Sequence, residues 1–180
     1  MTLQGSEYPP NNRVIQMLRR QFLALSSAPV LTACAGLGAT DIRGTDARAR
    51  LIVLRHAERD GADLNAAGLA RAQALPAALA DHQIDAIFTP DLQRNIDTAT
   101  PLADARGLDV TVIPAVNVAR TIFRRHPGGS AVWVGNKDNL AALWDEIGAA
   151  GEPPIHYGEL FVVSMTGFSA GRIERSRFGD

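Results

Sequence analysis

Apolar residues in this chain fall into short continuous runs, separated by stretches where they recur every three or four positions. Leu51-Ile52-Val53-Leu54 is the strongest run, followed by residues 85–89, 110–113 and 131–135. Such runs, too short for helices and without polar alternation, read as strands buried on both faces. Between them, residues 66 to about 82 carry Leu69, Ala72, Leu75 and Leu79 at helical spacing, with Asn65 as N-cap and a kink expected at Pro76. Residues 91–105 form a second amphipathic pattern through Leu92, Ile96, Ala99 and Leu102. A third helix is expected over 116–125, stopped by Pro127-Gly128-Gly129, and a fourth from about Asp138 to Ile147. Residues 159–165 and 172–178 read as a closing β-hairpin around Gly167 and Gly171. Alternating strands and helices of this kind predict an α/β fold, with a mainly parallel sheet covered on both faces as a three-layer α/β/α sandwich.

The pattern is different before residue 50. Met17-Leu18-Arg19-Arg20-Gln21-Phe22-Leu23 leads into a moderately apolar stretch that ends at Leu31-Thr32-Ala33-Cys34. Paired arginines before such a stretch have the layout of an export signal, and the run is too short to span a bilayer as a mature helix. Arg19-Arg20 resembles a twin-arginine signal, and Leu31–Cys34 resembles a bacterial lipobox. The expectation is a signal over residues 1–33, with 1–16 an over-extended start and Met17 the true one. Cys34 would be lipidated, residues 34–49 would be a flexible tether, and residues 50–180 the folded domain. Such a protein would be exported to the bacterial cell envelope and held at the membrane by its lipid anchor alone.

Composition narrows the chemistry. A chain of 180 residues with 46% hydrophobic content can bury one ordinary core. A net charge of −1, with no basic block, gives no sign of a nucleic-acid partner. One cysteine excludes an intramolecular disulfide and suggests no cysteine-based zinc site. No Gly-x-x-x-x-Gly-Lys-Ser/Thr stretch is present, which argues against a nucleotide P-loop. Gly167-Phe168-Ser169-Ala170-Gly171 matches a nucleophile elbow in letters only. No helix and no histidine follow it, so Ser169 reads as a turn residue.

The chemistry gathers where the first strand stops, at Arg55-His56-Ala57-Glu58. In an open α/β sheet, ligands bind beyond the carboxyl ends of the strands. Arg55 can grip a phosphate through parallel N–H donors. A ring nitrogen of His56 can attack phosphorus if the other nitrogen is held by a carbonyl. Alone, the pair is as consistent with a solvated strand end. Arg94, in the helix after the next strand, can converge on the same anion.

The ordered series Arg55–Glu58, Thr89-Pro90-Asp91-Leu92-Gln93-Arg94-Asn95-Ile96-Asp97-Thr98-Ala99 and Val132-Trp133-Val134-Gly135-Asn136 resembles the histidine phosphatase superfamily, which is phosphoglycerate mutase-like. The resemblance implies that His56 accepts a phosphoryl group from a phosphorylated small molecule, and that Arg55 and Arg94 hold its oxygens. No cofactor or metal is implied. It also marks a departure, because the family has a second histidine where this chain has Asn136. Asparagine donates hydrogen bonds but carries no charge. Lys137, the only lysine, is a candidate to supply one, and Glu58 and Asp138 are candidate general acids. Lys137 also reads as a solvated side chain and Asp138 as a helix cap. His82, His126 and His156 occupy no strand end and read as surface residues, with leaning over the pocket an alternative for His156. Two functions stay open on these residues: a phosphomonoesterase working through phosphohistidine, and an inactive envelope lipoprotein that only binds phosphoesters.

Overall fold

The computed structural model describes residues 49–179. The expected signal, Cys34 and nearly all of the expected tether lie outside the described residues. Six strands form the main sheet: β1 (Arg50–Arg55), β4 (Ala86–Thr89), β5 (Val110–Val112), β6 (Ser130–Gly135), β7 (Glu159–Thr166) and β8 (Ser169–Arg177). A small hairpin of β2 (Arg59–Asp60) and β3 (Asp63–Leu64) stands apart, built around Gly61 at φ 63°. The helices are α1 (Ala66–Ala78), α2 (Gln93–Arg106), α3 (Val118–Arg125) and α4 (Lys137–Ile147).

Strand order across the sheet is β5-β4-β6-β1-β7-β8. The β5, β4, β6 and β1 pairings are parallel, while β7 and β8 run antiparallel. This is the expected mixed α/β fold with a mostly parallel sheet. The apolar run of β1 is continuous because both of its faces are covered. Leu51 and Val53 pack with residues of α3 and α4, such as Ile122 and Leu143. Ile52 and Leu54 pack on the opposite side with Leu75 of α1 and Leu102 of α2.

Element ends differ from expectation where local chemistry is decisive. Asn65 caps α1 as expected, accepting from the Gly68 N–H at 2.9 Å. The helix stops at Ala78 rather than near His82, two residues past Pro76, which has no N–H for the ladder. α2 starts at Gln93 rather than Asp91 because Leu92 is still extended, and it ends on Gly107 in the left-handed region. α3 starts two residues late, at Val118, after Asn117 takes φ 50°. Asp138 is not the cap of α4. That place belongs to Asn136, whose side chain and that of Asn139 each accept from the other's backbone N–H. Ser169 is not a turn residue either. It opens β8 opposite Thr166, and the turn is Gly167-Phe168, with Gly167 at φ 61°.

Candidate active site

The site is built at the carboxyl ends of β1, β6 and β4. Arg55 lies beside Gly135 in the parallel register of β1 and β6, and the His56 backbone N–H continues that ladder to the Gly135 carbonyl at 2.8 Å. A side chain at Gly135 would drive its Cβ to 2.8 Å from both Leu140 Cδ2 and Trp133 Nε1, so α4 can begin directly on the strand end only over glycine. On the other flank, α2 is pinned to β6 by Asn95, whose Nδ2 donates to the Val134 carbonyl at 2.9 Å. Thr98, one turn on from Arg94, accepts from the Ala57 N–H at 3.0 Å and donates to the Arg94 carbonyl at 2.7 Å. One buried hydroxyl therefore fixes the distance between the residue after His56 and the helix that carries Arg94.

His56 itself is only 2% exposed. Its Nδ1 lies 2.8 Å from the Ala57 carbonyl, an acceptor only, so Nδ1 carries the proton and Nε2 presents its lone pair. Arg94 Nε donates to that lone pair at 3.3 Å. Burial pushes the His56 pKa down from 6.5 to about 4; the positive charges of Arg55, Arg94 and Arg59 push the same way, and the bond to Ala57 partly opposes them. The imidazole is thus neutral, of fixed tautomer and surrounded by cations. Such a group is suited to attack an anionic electrophile.

Arg55 meets the site differently from its sequence reading. Its Nη1 donates to the Ile155 carbonyl at 2.9 Å and its Nη2 to the Tyr157 hydroxyl at 3.2 Å, and the guanidinium stacks 4.1 Å from the Tyr157 ring centroid. Its buried Nε has no partner among the described residues. That donor, with the second hydrogens of Nη1 and Nη2, is what Arg55 can offer an anion.

Of the other candidates, Asn136 is half-buried at the end of β6, its Oδ1 spent on the α4 cap. Lys137 and Asp138 are exposed in the first turn of α4. Glu58 points elsewhere: both of its oxygens accept from Arg71 Nε, at 3.0 and 2.9 Å, and Oε1 also accepts from Nη2 at 2.7 Å. The Arg71 bonds hold its carboxyl below the usual range, so it stays ionised and is no proton donor at neutral pH. His126 packs edge-on against Phe88, and His156 is exposed. Sequence reasoning missed Tyr157, Arg71 and Thr98. Thr98 lies within the segment that carries the resemblance but had no role there, no motif marks Tyr157 or Arg71, and each matters through a contact across the fold.

Comparison with known proteins finds likeness in part of the sequence and in the fold. The family model of the histidine phosphatase superfamily (branch 1) matches residues 51–117. No curated protein matches the chain. Among solved structures, the protein histidine phosphatase SixA complexed with tungstate aligns at a TM-score of 0.61 and 15% identity, over 71% of this chain and 96% of SixA. The alpha-ribazole phosphatase from Shigella flexneri aligns at 0.56 and 18%, over 71% and 96%. The mycobacterial glucosyl-3-phosphoglycerate phosphatase with inorganic phosphate aligns at 0.53 and 19%, over 73% and 97%. The fold is that of these phosphatases, phosphoglycerate mutase-like.

Proposed function

We propose that this chain is a histidine phosphatase that hydrolyses a phosphomonoester of a small molecule through a phosphohistidine on His56. One observation carries the reading: a buried, neutral imidazole with Nδ1 tied to Ala57 and Nε2 facing Arg94. In the first step the Nε2 lone pair attacks phosphorus, the Nε2–P bond forms, and the bond to the leaving oxygen breaks. The Ala57 carbonyl stabilises the positive charge that develops on the ring. Arg94 exchanges its bond to Nε2 for the phosphoryl oxygens, with the free donors of Arg55 beside it. Water then attacks phosphorus, the Nε2–P bond breaks, and phosphate leaves.

The match over residues 51–117 spans β1 through the segment before α3, which includes His56, Arg55 and Arg94. That match and the shared fold support hydrolysis over simple binding. Incubation with labelled 4-nitrophenyl phosphate, quenched in alkali, should trap an acid-labile phosphoenzyme. His56→Ala should abolish it, and Arg94→Ala should slow its formation by on the order of 10²-fold or more. Vanadate binding without any phosphoenzyme or turnover would establish the protein as a phosphate-binding protein instead.

A further inference from the structure

The hydrolysis proposed above leaves one proton without a donor. As His56 displaces an alcohol, the departing oxygen gains negative charge and must be protonated. Neither carboxylate near the motif serves: Glu58 is held ionised by Arg71, and Asp138 is exposed in the first turn of α4. Tyr157 is placed otherwise. It lies in the loop between α4 and β7, and its ring faces two groups of the site at once. The ring centroid is 5.9 Å from that of His56 and 4.1 Å from the Arg55 guanidinium carbon. Its oxygen accepts from Arg55 Nη2 at 3.2 Å, and no acceptor among the described residues takes its own proton. A phenol that accepts one bond keeps its O–H to give.

This loop is tied down on both sides of the ring. Arg55 Nη1 holds the Ile155 carbonyl at 2.9 Å, Arg177 Nη2 holds the Tyr157 carbonyl at 3.2 Å, and the Phe178 N–H bonds the Gly158 carbonyl at 2.9 Å. Gly158, at φ 78°, lets the chain turn where a Cβ would approach Arg71 Nη1 to 2.5 Å. The ring is therefore positioned by backbone contacts before any substrate enters, which is what a group that must meet a reacting atom requires.

We propose that Tyr157 is a catalytic residue, whose O–H protonates the leaving alcohol and whose phenolate then activates the hydrolytic water. The proposal rests on the phosphatase reading and narrows its substrate to phosphomonoesters of ordinary alcohols, which leave poorly without a proton. In the first step the Nε2–P bond forms, the P–O bond breaks with its electron pair on oxygen, and the Tyr157 proton passes to that oxygen. Arg55 keeps its hydrogen bond to the phenolate. In the second step the water oxygen bonds phosphorus, the Nε2–P bond breaks, and the water proton returns to Tyr157. Both side chains end as they began.

The test is Tyr157→Phe, which keeps the ring and its stacking on Arg55 and removes only the hydroxyl. The readout is the single-turnover rate of phosphoenzyme formation from glycerol phosphate, an alkyl ester, and from 4-nitrophenyl phosphate, whose phenolate leaves unaided. The variant should lose on the order of 10²-fold or more with the alkyl ester and change little with the aryl one. A vanadate-induced rise in melting temperature equal to that of wild type shows that the anion site is intact. Equal losses on both esters would make Tyr157 a merely structural residue and overturn the proposal, as would no loss on either. Absence of any phosphoenzyme in the wild type would overturn the phosphatase reading, and this proposal with it.

Discussion

Gly68 is where helix α1 meets the turn that carries His56, and replacing it with alanine sets two effects of opposite sign against each other. Helix propensity favours alanine in a helix by up to about 1 kcal/mol. The packing opposes it. A Cβ at Gly68 would stand 2.9 Å from the Glu58 carbonyl carbon and 3.0 Å from the Glu58 nitrogen, with the carbonyl oxygen closer still. Carbon atoms prefer roughly 3.5–4.0 Å, and the closer carbonyl oxygen demands more still, so the two backbones must part by upward of about 1 Å. None of the atoms met belongs to a rotatable side chain. The bond from the Asn65 N–H to the Glu58 carbonyl, 3.1 Å long, would stretch as well. Overpacking costs about 1–3 kcal/mol and a weakened hydrogen bond about 1 kcal/mol. After crediting the propensity gain, Gly68→Ala should destabilise the fold by roughly 2 kcal/mol, a fall of about 5–10 °C in Tm. The same displacement reaches His56, two residues away, and should lower kcat/KM by on the order of 10²-fold. Urea unfolding with an unchanged m-value, together with 4-nitrophenyl phosphate kinetics, measures both effects. A variant as stable as wild type with normal kinetics would refute the close approach and the reasoning built on it.

The site sets the pH dependence and the effect of restoring a second histidine. Because the His56 pKa is lowered to about 4, the acid limb of kcat/KM from this group should fall near pH 4, after correction for substrate titration; a limb at 6.5 would mean the imidazole is solvated. In stability the sign is the same: unfolding lets His56 bind its proton more readily, so stability is full above pH 6.5 and declines as pH falls toward 4. Asn136→His should trade the α4 cap, about 1 kcal/mol of stability, for a chargeable donor beside the phosphoryl group. Turnover should rise in that variant and vanish when His56→Ala is added. A large loss in Lys137→Ala, with no gain in Asn136→His, would show instead that the lysine already supplies the charge.

The parts of this molecule that were readable in the sequence are those fixed by neighbours along the chain. β1 was legible because both of its faces are buried, which leaves no polar position between Leu51 and Leu54. Asn65 was legible as a cap because its partner, Gly68, is three residues away. Arg55, His56 and Arg94 were marked by the family resemblance, and the fold brings Arg94 to His56 from 38 positions away. Tyr157 reaches Arg55 across 102 positions, and in Ile155-His156-Tyr157-Gly158 the histidine, not the tyrosine, draws attention. Glu58 misled for the same reason: the arginine that claims it is 13 residues on, in a helix whose rotation the hydrophobic pattern fixes only coarsely. The ends of α1 and α3 shifted because Pro76 and the left-handed Asn117 act locally, against a periodicity that continues past them.

Glu58 also explains how the site keeps its charge. A carboxylate two residues from His56, within electrostatic reach of Arg55, would be the natural competitor for the phosphate that the proposed reaction binds. Arg71 removes that competitor. It binds Glu58 in a bidentate contact with only 13% and 19% of the two side chains exposed, and it spends Nη1 on the Phe178 carbonyl. Among the described residues no carboxylate forms an ion pair with Arg55 or Arg94, so neither guanidinium is tied to an acid beside the neutral imidazole. In the proposed reaction that positive charge would draw the anionic substrate in, and it adds to burial, the larger cause, in keeping His56 unprotonated. Were Glu58 free to swing back, it would raise the basicity of His56 and compete for the arginines, so the Arg71–Glu58 pair helps set the electrostatics that the proposed reaction needs.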